Sequence, residues 1–228
     1  ATPVLRPDPS RPGWRCGEGL PERVDAATAL LRSCNGWFLD WIARAPEVAG
    51  LGAWGPALRS LGLTGIPADG SEAIGVRPSL RIPPRGLAEA YRLLAEARPD
   101  LVDLLSRNAR EGTLAGLGAS RRLAGVALKT GTVFTAEATP RVGWIAAVDR
   151  DVVAVMVRAG RSPRTFAADL AGELERARLA ARGAARVQVL GLLPPGDPVA
   201  RCAGRGFTAA RGGPVPAHHP LRVGSARL

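Results

Sequence analysis

The length, composition and charge of the chain limit the functions that it can have. Its 228 residues are 46% hydrophobic, which suits one folded domain with a buried core and an appendage. The formal net charge of +11 comes from arginines scattered over the whole length, and four Phe and one Tyr offer few rings for stacking on bases. We therefore expect no nucleic-acid partner. No apolar run reaches the roughly 18 residues that a membrane span needs, so we expect no span in this chain.

The cysteines and histidines do not form a metal-binding pattern. Cys16, Cys34 and Cys202 have no C-x-x-C spacing, which argues against a zinc site or a thioredoxin-like site. A bridge between Cys16 and Cys34 is one alternative in an oxidising compartment, but the pattern favours unpaired buried cysteines. His218 and His219 lie in a Pro-rich tail without partner ligands. We expect no metal and no cofactor.

The N-terminal part of the chain predicts two helices joined by a polar turn. Residues 1–23 hold four prolines in their first dozen positions, and the chain begins without a Met, so we interpret them as a linker or the remnant of a longer chain. Helical spacing begins near Val24 and ends at residues 33–36. A second apolar helical face follows, formed by Trp37, Phe38, Trp41 and Ile42. Ser33 and Asn35 are therefore expected to project from a short turn between helices.

Two more helices are predicted in the middle of the chain. The clearest helical spacing in the sequence follows Gly86 and stops before Pro99; its apolar positions are Leu87, Ala90, Tyr91 and Leu94. A second helix is predicted over residues 100–108, and the segment Glu111-Gly112-Thr113 ends it.

Lys129 is the only lysine in the chain, since every other basic residue is Arg. This bias indicates a position that needs a compact ammonium group rather than a planar guanidinium fork. Lys129 ends the apolar run 123–128 and is followed closely by Gly131, a pattern that predicts a strand whose backbone another group approaches closely.

The residues after Thr132 predict strands and then a helix. The Val- and Ile-rich runs 141–148 and 152–158 form a predicted hairpin, which completes a three-stranded antiparallel unit with the Lys129 strand. A helix over 165–181 is expected to pack on this sheet. The predicted fold class for residues 24–182 is therefore α+β, an antiparallel sheet with packed helices. Residues 183–228, with short strands such as 187–190, are expected to form a small β-rich C-terminal appendage.

Two polar clusters carry a resemblance to a known family. Ser33-Cys34-Asn35 lies on the predicted turn, and Lys129-Thr130-Gly131-Thr132 lies on the strand before the hairpin. In this order they resemble the second and third motifs of the penicillin-binding proteins and serine β-lactamases. Residues 61–66, 84–97 and 110–113 look like the corresponding stretches of transpeptidase domains. The resemblance covers about residues 24–182 and implies a β-lactamase-like fold that is incomplete at its N-terminus.

The resemblance also implies a role for each matching residue. Ser33 would relay a proton to the leaving amine, and Asn35 would hydrogen-bond the acyl-side amide of the substrate. Lys129 would shape the electrostatics of the site and assist proton transfer. Thr130 and Thr132 would bind the carboxylate of the substrate or of a β-lactam, and the Thr132 N–H would form half of an oxyanion hole. Gly131 would let the substrate approach the strand backbone.

The first motif of the family, Ser-x-x-Lys, is missing from the chain. The residue three positions before the only lysine is Val126, so the usual nucleophilic serine and its lysine partner are absent. Either the nucleophile belongs to an upstream segment, which the sequence favours, or the lineage has lost it and keeps the domain for binding. A secreted bacterial family built on a divergent domain of this kind is a further alternative.

The leading expectation is the C-terminal portion of a D,D-transpeptidase or carboxypeptidase domain, a serine acyltransferase if the upstream motif exists. Its substrates would be peptidoglycan stem peptides or β-lactams. The alternative is a catalytically inactive module that binds peptidoglycan or an envelope protein partner. An extracytoplasmic location, periplasmic or secreted, follows only from the resemblance.

Overall fold

The structure, a computed structural model, describes residues 23–44, 69–75, 82–134, 137–149 and 152–180, the single residues 59 and 67, and the backbone of residues 186–192. The segment 61–66 used in the family comparison, residues 1–22 of the N-terminal linker and residues 193–228 of the expected appendage lie outside the described residues.

A four-stranded sheet forms the centre of the described fold. Its strands are β1 (Ala127–Phe134), β2 (Pro140–Asp149), β3 (Val152–Ala159) and β4 (Arg186–Leu192), in that spatial order. The first three strands are antiparallel, and β4 runs parallel to β3. The predicted hairpin and three-stranded antiparallel unit are confirmed, and with its helices the fold is of the α+β class.

Helices pack on both faces of this sheet. In chain order the described helices are α1 (Ala26–Arg32), α2 (Asn35–Arg44), α3 (Gly70–Ala73), α4 (Pro84–Ala97), α5 (Pro99–Leu105), α6 (Asn108–Glu111) and α7 (Ala167–Ala180). Two short 3₁₀ turns lie at Gly118–Arg121 and Pro163–Thr165.

Two local predictions were wrong in their boundaries. The helix expected over 100–108 is two helices, because Ser106 ends α5 with a hydrogen bond of 2.7 Å from its hydroxyl to the Asp103 carbonyl oxygen. The apolar run 123–128 is extended only from Ala127, because Gly125 turns the chain with a φ of +79°. An apolar run alone does not separate a strand from a buried turn.

Side chains alternate between the two faces of the sheet and form two hydrophobic cores. One face packs against α7, and we call it the α7 face. The large buried residues of the core between them are Leu128, Ile145 and Met156 from the strands, and Phe166, Leu170 and Leu174 from α7 and the residue before it. The opposite face packs against α4 and α5; we call it the α4 face, and it includes Ala88, Leu105, Ala127, Ala146, Val148, Val153 and Val155. Small residues on the α4 face allow the helices to approach the sheet closely.

Within the described part of the chain, no helix is long and apolar enough to cross a membrane.

Candidate functional site

Ser33 lies at the C-terminal end of α1 in a strained backbone conformation. Its φ is +53° and its ψ is +49°, the left-handed region that non-glycine residues seldom adopt. Hydrogen bonds from the Ser33 and Cys34 N–H groups to carbonyls of α1 close the helix at 3.3 and 2.8 Å. The Ser33 side chain is therefore held at a sharp change of chain direction, as the sequence predicted for this turn.

A small core fixes the angle between α1 and α2. Trp37 is 1% exposed, and its indole N–H donates a hydrogen bond of 3.0 Å to the Val24 carbonyl oxygen. The Phe38 and Trp41 rings pack against Trp37 with centroid distances of 5.1 and 5.7 Å. These aromatic residues, predicted as an apolar helical face, hold the turn that carries Ser33.

The only lysine contacts Ser33 directly. Lys129 is half-buried on β1, and its ammonium donates hydrogen bonds to the Ser33 hydroxyl and, at 3.2 Å, to the Thr130 carbonyl oxygen. The two residues are 96 positions apart in the chain. The structure therefore joins the two polar clusters that carry the family resemblance.

Burial lowers the pKa of Lys129 from 10.5 to about 8. Desolvation disfavours the charged ammonium, and the Ser33 hydroxyl and Thr130 carbonyl replace only part of its hydration. An amine with this pKa exchanges a proton near neutral pH more readily than a surface lysine. The shift suits a group that transfers protons.

A buried polar network ties the end of α1 to β1. Asn108, fully buried, donates a hydrogen bond of 3.3 Å to the Leu31 carbonyl oxygen and accepts one from the Leu114 N–H at 3.3 Å. The Thr113 N–H also donates to Leu31, at 3.2 Å. A Cβ on Gly112 would lie 2.8 Å from the Leu31 oxygen, so this approach requires glycine. The network holds α1 two residues before Ser33.

Thr130 belongs to the same network. It is 7% exposed, and its hydroxyl lies 2.8 Å from the Thr113 hydroxyl, which in turn donates to the side-chain Oδ1 of Asn108 at 3.3 Å. Because Thr113 gives its proton to Asn108, Thr130 donates in the pair. The Thr130 side chain thus has a structural partner, and its role in substrate binding remains a prediction.

The close approach to Gly131 is made by Trp144. These residues are cross-strand partners on β1 and β2, and a Cβ on Gly131 would lie 2.2 Å from Cε2 of the indole. Gly131 lies on the α4 face with Lys129, two residues away. A glycine at this position therefore lets the Trp144 ring cover the strand beside the lysine.

Asn35 and Thr132 are placed near this cluster by the chain but are not joined to it. Asn35 is the first residue of α2, and among the described residues no hydrogen bond links its side chain to Ser33 or Lys129. Thr132 is half-buried on β1 opposite Gly143. Since β1 is an edge of the described sheet, alternate N–H groups along it face away from β2.

Cys34, beside Ser33, is disulfide-bonded, with its partner outside the described residues. The expectation of unpaired buried cysteines is wrong for this residue, because a spacing pattern does not show which distant cysteine folding brings near. Among the described residues, no group of three His, Cys, Asp or Glu side chains could hold a metal ion.

Comparisons with protein-family models, with curated proteins and with solved structures found no match to this chain.

Sequence reasoning missed three residues of the site: Asn108, Thr113 and Trp144. Asn108 was assigned to the end of a helix, where Asn is common, and Trp144 to an ordinary strand position. The available signal for Trp144 was the predicted antiparallel pairing of its strand with the Lys129 strand, and in the observed register it lies opposite Gly131. The Asn108 contacts reach Leu31 across 77 positions, and no local pattern indicates them.

Proposed function

We propose that this chain is the C-terminal portion of a penicillin-binding-protein-like D,D-transpeptidase or D,D-carboxypeptidase domain that acts on peptidoglycan stem peptides. A transpeptidase would cross-link these peptides, and a carboxypeptidase would trim them. The nucleophilic serine would come from a Ser-x-x-Lys segment outside these 228 residues, which contain no such motif. The finer fold would be β-lactamase-like, with the site between the α1–α2 turn and the edge strand β1.

The contact between the Lys129 ammonium and the Ser33 hydroxyl carries this proposal. The resemblance predicts that the Ser-x-Asn and Lys-Thr-Gly-Thr clusters belong to one site. A chance pair of motifs has no reason to meet across 96 positions of chain. The contact therefore supports the assignment more strongly than either motif alone.

The geometry suits the proton relay assigned to Ser33. The Lys129 ammonium donates to the Ser33 oxygen, so the hydroxyl proton of Ser33 is left to point elsewhere. A leaving amine could take that proton while Lys129 replaces it. The lowered pKa of Lys129, about 8, makes this replacement easier than it would be for an ordinary lysine.

The edge of β1 suits the binding of a peptide carbonyl. The Thr130 carbonyl oxygen accepts a bond from the Lys129 side chain. In an antiparallel pair, residues two positions apart present their backbone groups to the same side. If the Thr130 carbonyl faces away from β2, the Thr132 N–H faces the same way and can donate to an oxyanion.

The disulfide at Cys34 supports an extracytoplasmic location. Disulfides persist in the periplasm and outside the cell and are rare where thiols are kept reduced. This is also the compartment in which peptidoglycan peptides are found.

An inactive binding module is the second candidate, favoured by the absence of Ser-x-x-Lys from the chain. It would keep the Ser33–Lys129 contact for shape and bind peptidoglycan or an envelope protein partner without acyl transfer.

Labelling with fluorescent penicillin tests the two candidates. The natural gene product, including any residues upstream of Ala1, is expected to form a covalent adduct on an upstream serine, and Lys129→Ala is expected to abolish it. Arg92→Ala, which removes a cation paired with Glu89 and Glu96 on α4, serves as the matched control and should label normally. Unchanged labelling of Lys129→Ala would refute the role of Lys129. No adduct on the natural product would favour the binding module.

A further inference from the structure

The Ser33–Lys129 pair contains both parts of a minimal acyl-transfer site, a hydroxyl and an amine in direct contact. We propose that Ser33 is itself a nucleophile with Lys129 as its general base, so that this chain alone accepts acyl groups from activated esters. This goes beyond the proposed function, in which Ser33 only passes a proton and another serine is acylated.

The geometry of the Ser33–Lys129 pair suits removal of the Ser33 proton by Lys129. The Lys129 nitrogen contacts the Ser33 oxygen with no intervening group, as a base must to remove the hydroxyl proton. A second hydrogen bond, to the Thr130 carbonyl oxygen at 3.2 Å, orients the amine. A neutral amine held by that bond still has its lone pair for the Ser33 proton.

The backbone of Ser33 is held in a fixed conformation. Ser33 keeps a left-handed backbone with a φ of +53° that most residues avoid. Such strain persists only where surrounding contacts impose it; here the Ser33 and Cys34 N–H bonds to α1 carbonyls close the turn, and the Asn108 and Thr113 bonds hold Leu31. A serine on a fixed, sharp turn presents its oxygen to the Lys129 nitrogen without reorganisation.

The surroundings of Lys129 favour its neutral form. The ionisable groups on the elements packed around Lys129 are Arg32 on α1, Asp100 and Asp103 on α5, Arg110 and Glu111 on α6, Arg141 and Asp149 on β2, and Arg164 in the second 3₁₀ turn. Burial, rather than any of these charges, lowers the pKa of Lys129. The neutral form that a base requires is therefore populated near pH 8.

Donors for the developing oxyanion are at hand in sequence. The ten-residue helix α2 begins two positions after Ser33. Its first N–H groups, starting with Asn35, have no carbonyl one turn earlier within the helix. Their partial positive charge would stabilise an oxyanion that forms on an acyl group at Ser33.

The reaction balances within the pair and water. The Ser33 oxygen attacks the ester carbonyl, its proton moves to the Lys129 nitrogen, and the bond to the leaving alcohol breaks as that oxygen receives the proton. The product is an ester on Ser33. Lys129 then removes a proton from a water, which attacks this ester; the bond to Ser33 breaks, the Ser33 oxygen takes the proton back from Lys129, and the acid is released.

The test uses the 228-residue chain with p-nitrophenyl acetate, following nitrophenolate release and mapping the acetyl group by peptide mass. We expect one acetyl ester on Ser33, cleaved by hydroxylamine, and a rate that rises with pH to a plateau above about pH 8. Lys129→Met is expected to lower the rate about 100-fold or more. Ser33→Gly should abolish it while remaining folded, because glycine adopts a positive φ freely. Ser106→Ala, at an exposed helix end, is the matched control.

Three results would overturn the proposal: acetylation only as an amide on Lys129, acetylation of Ser33 at the same rate in Lys129→Met, or no release above the level of Ser33→Gly. None of these depends on an upstream serine. Penicillin labelling of the natural gene product tests the proposed function separately, so the two can fail independently.

Discussion

Replacing Lys129 by Met is expected to change how the stability of the protein depends on pH. Burial lowers the pKa of Lys129 from 10.5 to about 8. Below pH 8 the ammonium is charged in both states, so the folded protein bears the full cost of its desolvation. Between pH 8 and 10.5 the unfolded chain binds more protons than the folded one. Lys129 therefore makes the wild-type protein more stable as the pH rises through this window.

The size of the effect follows from the two pKa values. The difference between 10.5 and about 8 corresponds to a cost of about 3 kcal/mol at pH 7. Proton linkage reduces this cost to about 2 kcal/mol at pH 9 and about 1 kcal/mol at pH 10. The free energy of unfolding of wild type, relative to Lys129→Met, is expected to rise by about 2 kcal/mol from pH 7 to pH 10.

Tyr91 is another described residue whose pKa is shifted at alkaline pH. Burial raises the pKa of its hydroxyl, so its contribution to stability is present below pH 10 and is lost as the pH rises further. This loss is the same in wild type and in Lys129→Met, and it cancels in the difference between them.

Urea unfolding at pH 7, 8, 9 and 10, followed by tryptophan fluorescence, measures the effect. Slopes that agree between the two proteins allow their free energies to be compared. Arg92→Met, which removes a half-buried cation from α4, is the control; its difference from wild type should stay constant from pH 7 to pH 10, because a guanidinium keeps its charge over this range. A difference between wild type and Lys129→Met that is constant within about 0.5 kcal/mol across this range would refute the desolvation of Lys129.

Three further comparisons of variants test the supports of the site by urea unfolding. Ser33→Gly is expected to be about 1 kcal/mol more stable than Ser33→Ala, because both lack the hydroxyl and only Ala is strained at a positive φ; equal stabilities would contradict the left-handed turn. Asn108→Ala is expected to cost about 2–3 kcal/mol through its lost buried hydrogen bonds, against about 0.5 kcal/mol or less for Asn35→Ala. Gly131→Ala is expected to cost about 1–3 kcal/mol, and Trp144→Ala in the same chain should make the two losses less than additive; strict additivity would separate the ring from Gly131.

Local elements were predictable from the sequence because their signals lie within a few residues. The hairpin between residues 141 and 158 follows from two β-branched runs around a polar turn, and it is present with Val148 opposite Val153. The helix that ends before Pro99 follows from apolar spacing and a proline stop. The contacts that form this hairpin and this helix join residues that lie close together in the chain.

The functional pairing was only partly predictable. The rarity of lysine singled out Lys129, and the family resemblance placed Ser33 in the same site. Neither observation contains the network that positions them, since Asn108 reaches Leu31 across 77 positions and Thr113 reaches Thr130 across 17. The prediction for Thr130 illustrates the difficulty: a hydroxyl on a strand can face substrate or a neighbour, and here it faces Thr113.

The sequence by itself determined the three-stranded antiparallel unit with its hairpin, the helix that stops before Pro99, and the choice of Lys129 as the residue of interest. The tertiary structure decided that Lys129 meets Ser33, that burial lowers the pKa of its ammonium, and that Trp144 rather than open space lies against Gly131. The physical reason is that propensity and periodicity act between residues close in the chain. Burial, desolvation and hydrogen bonding between distant residues exist only after the chain has folded.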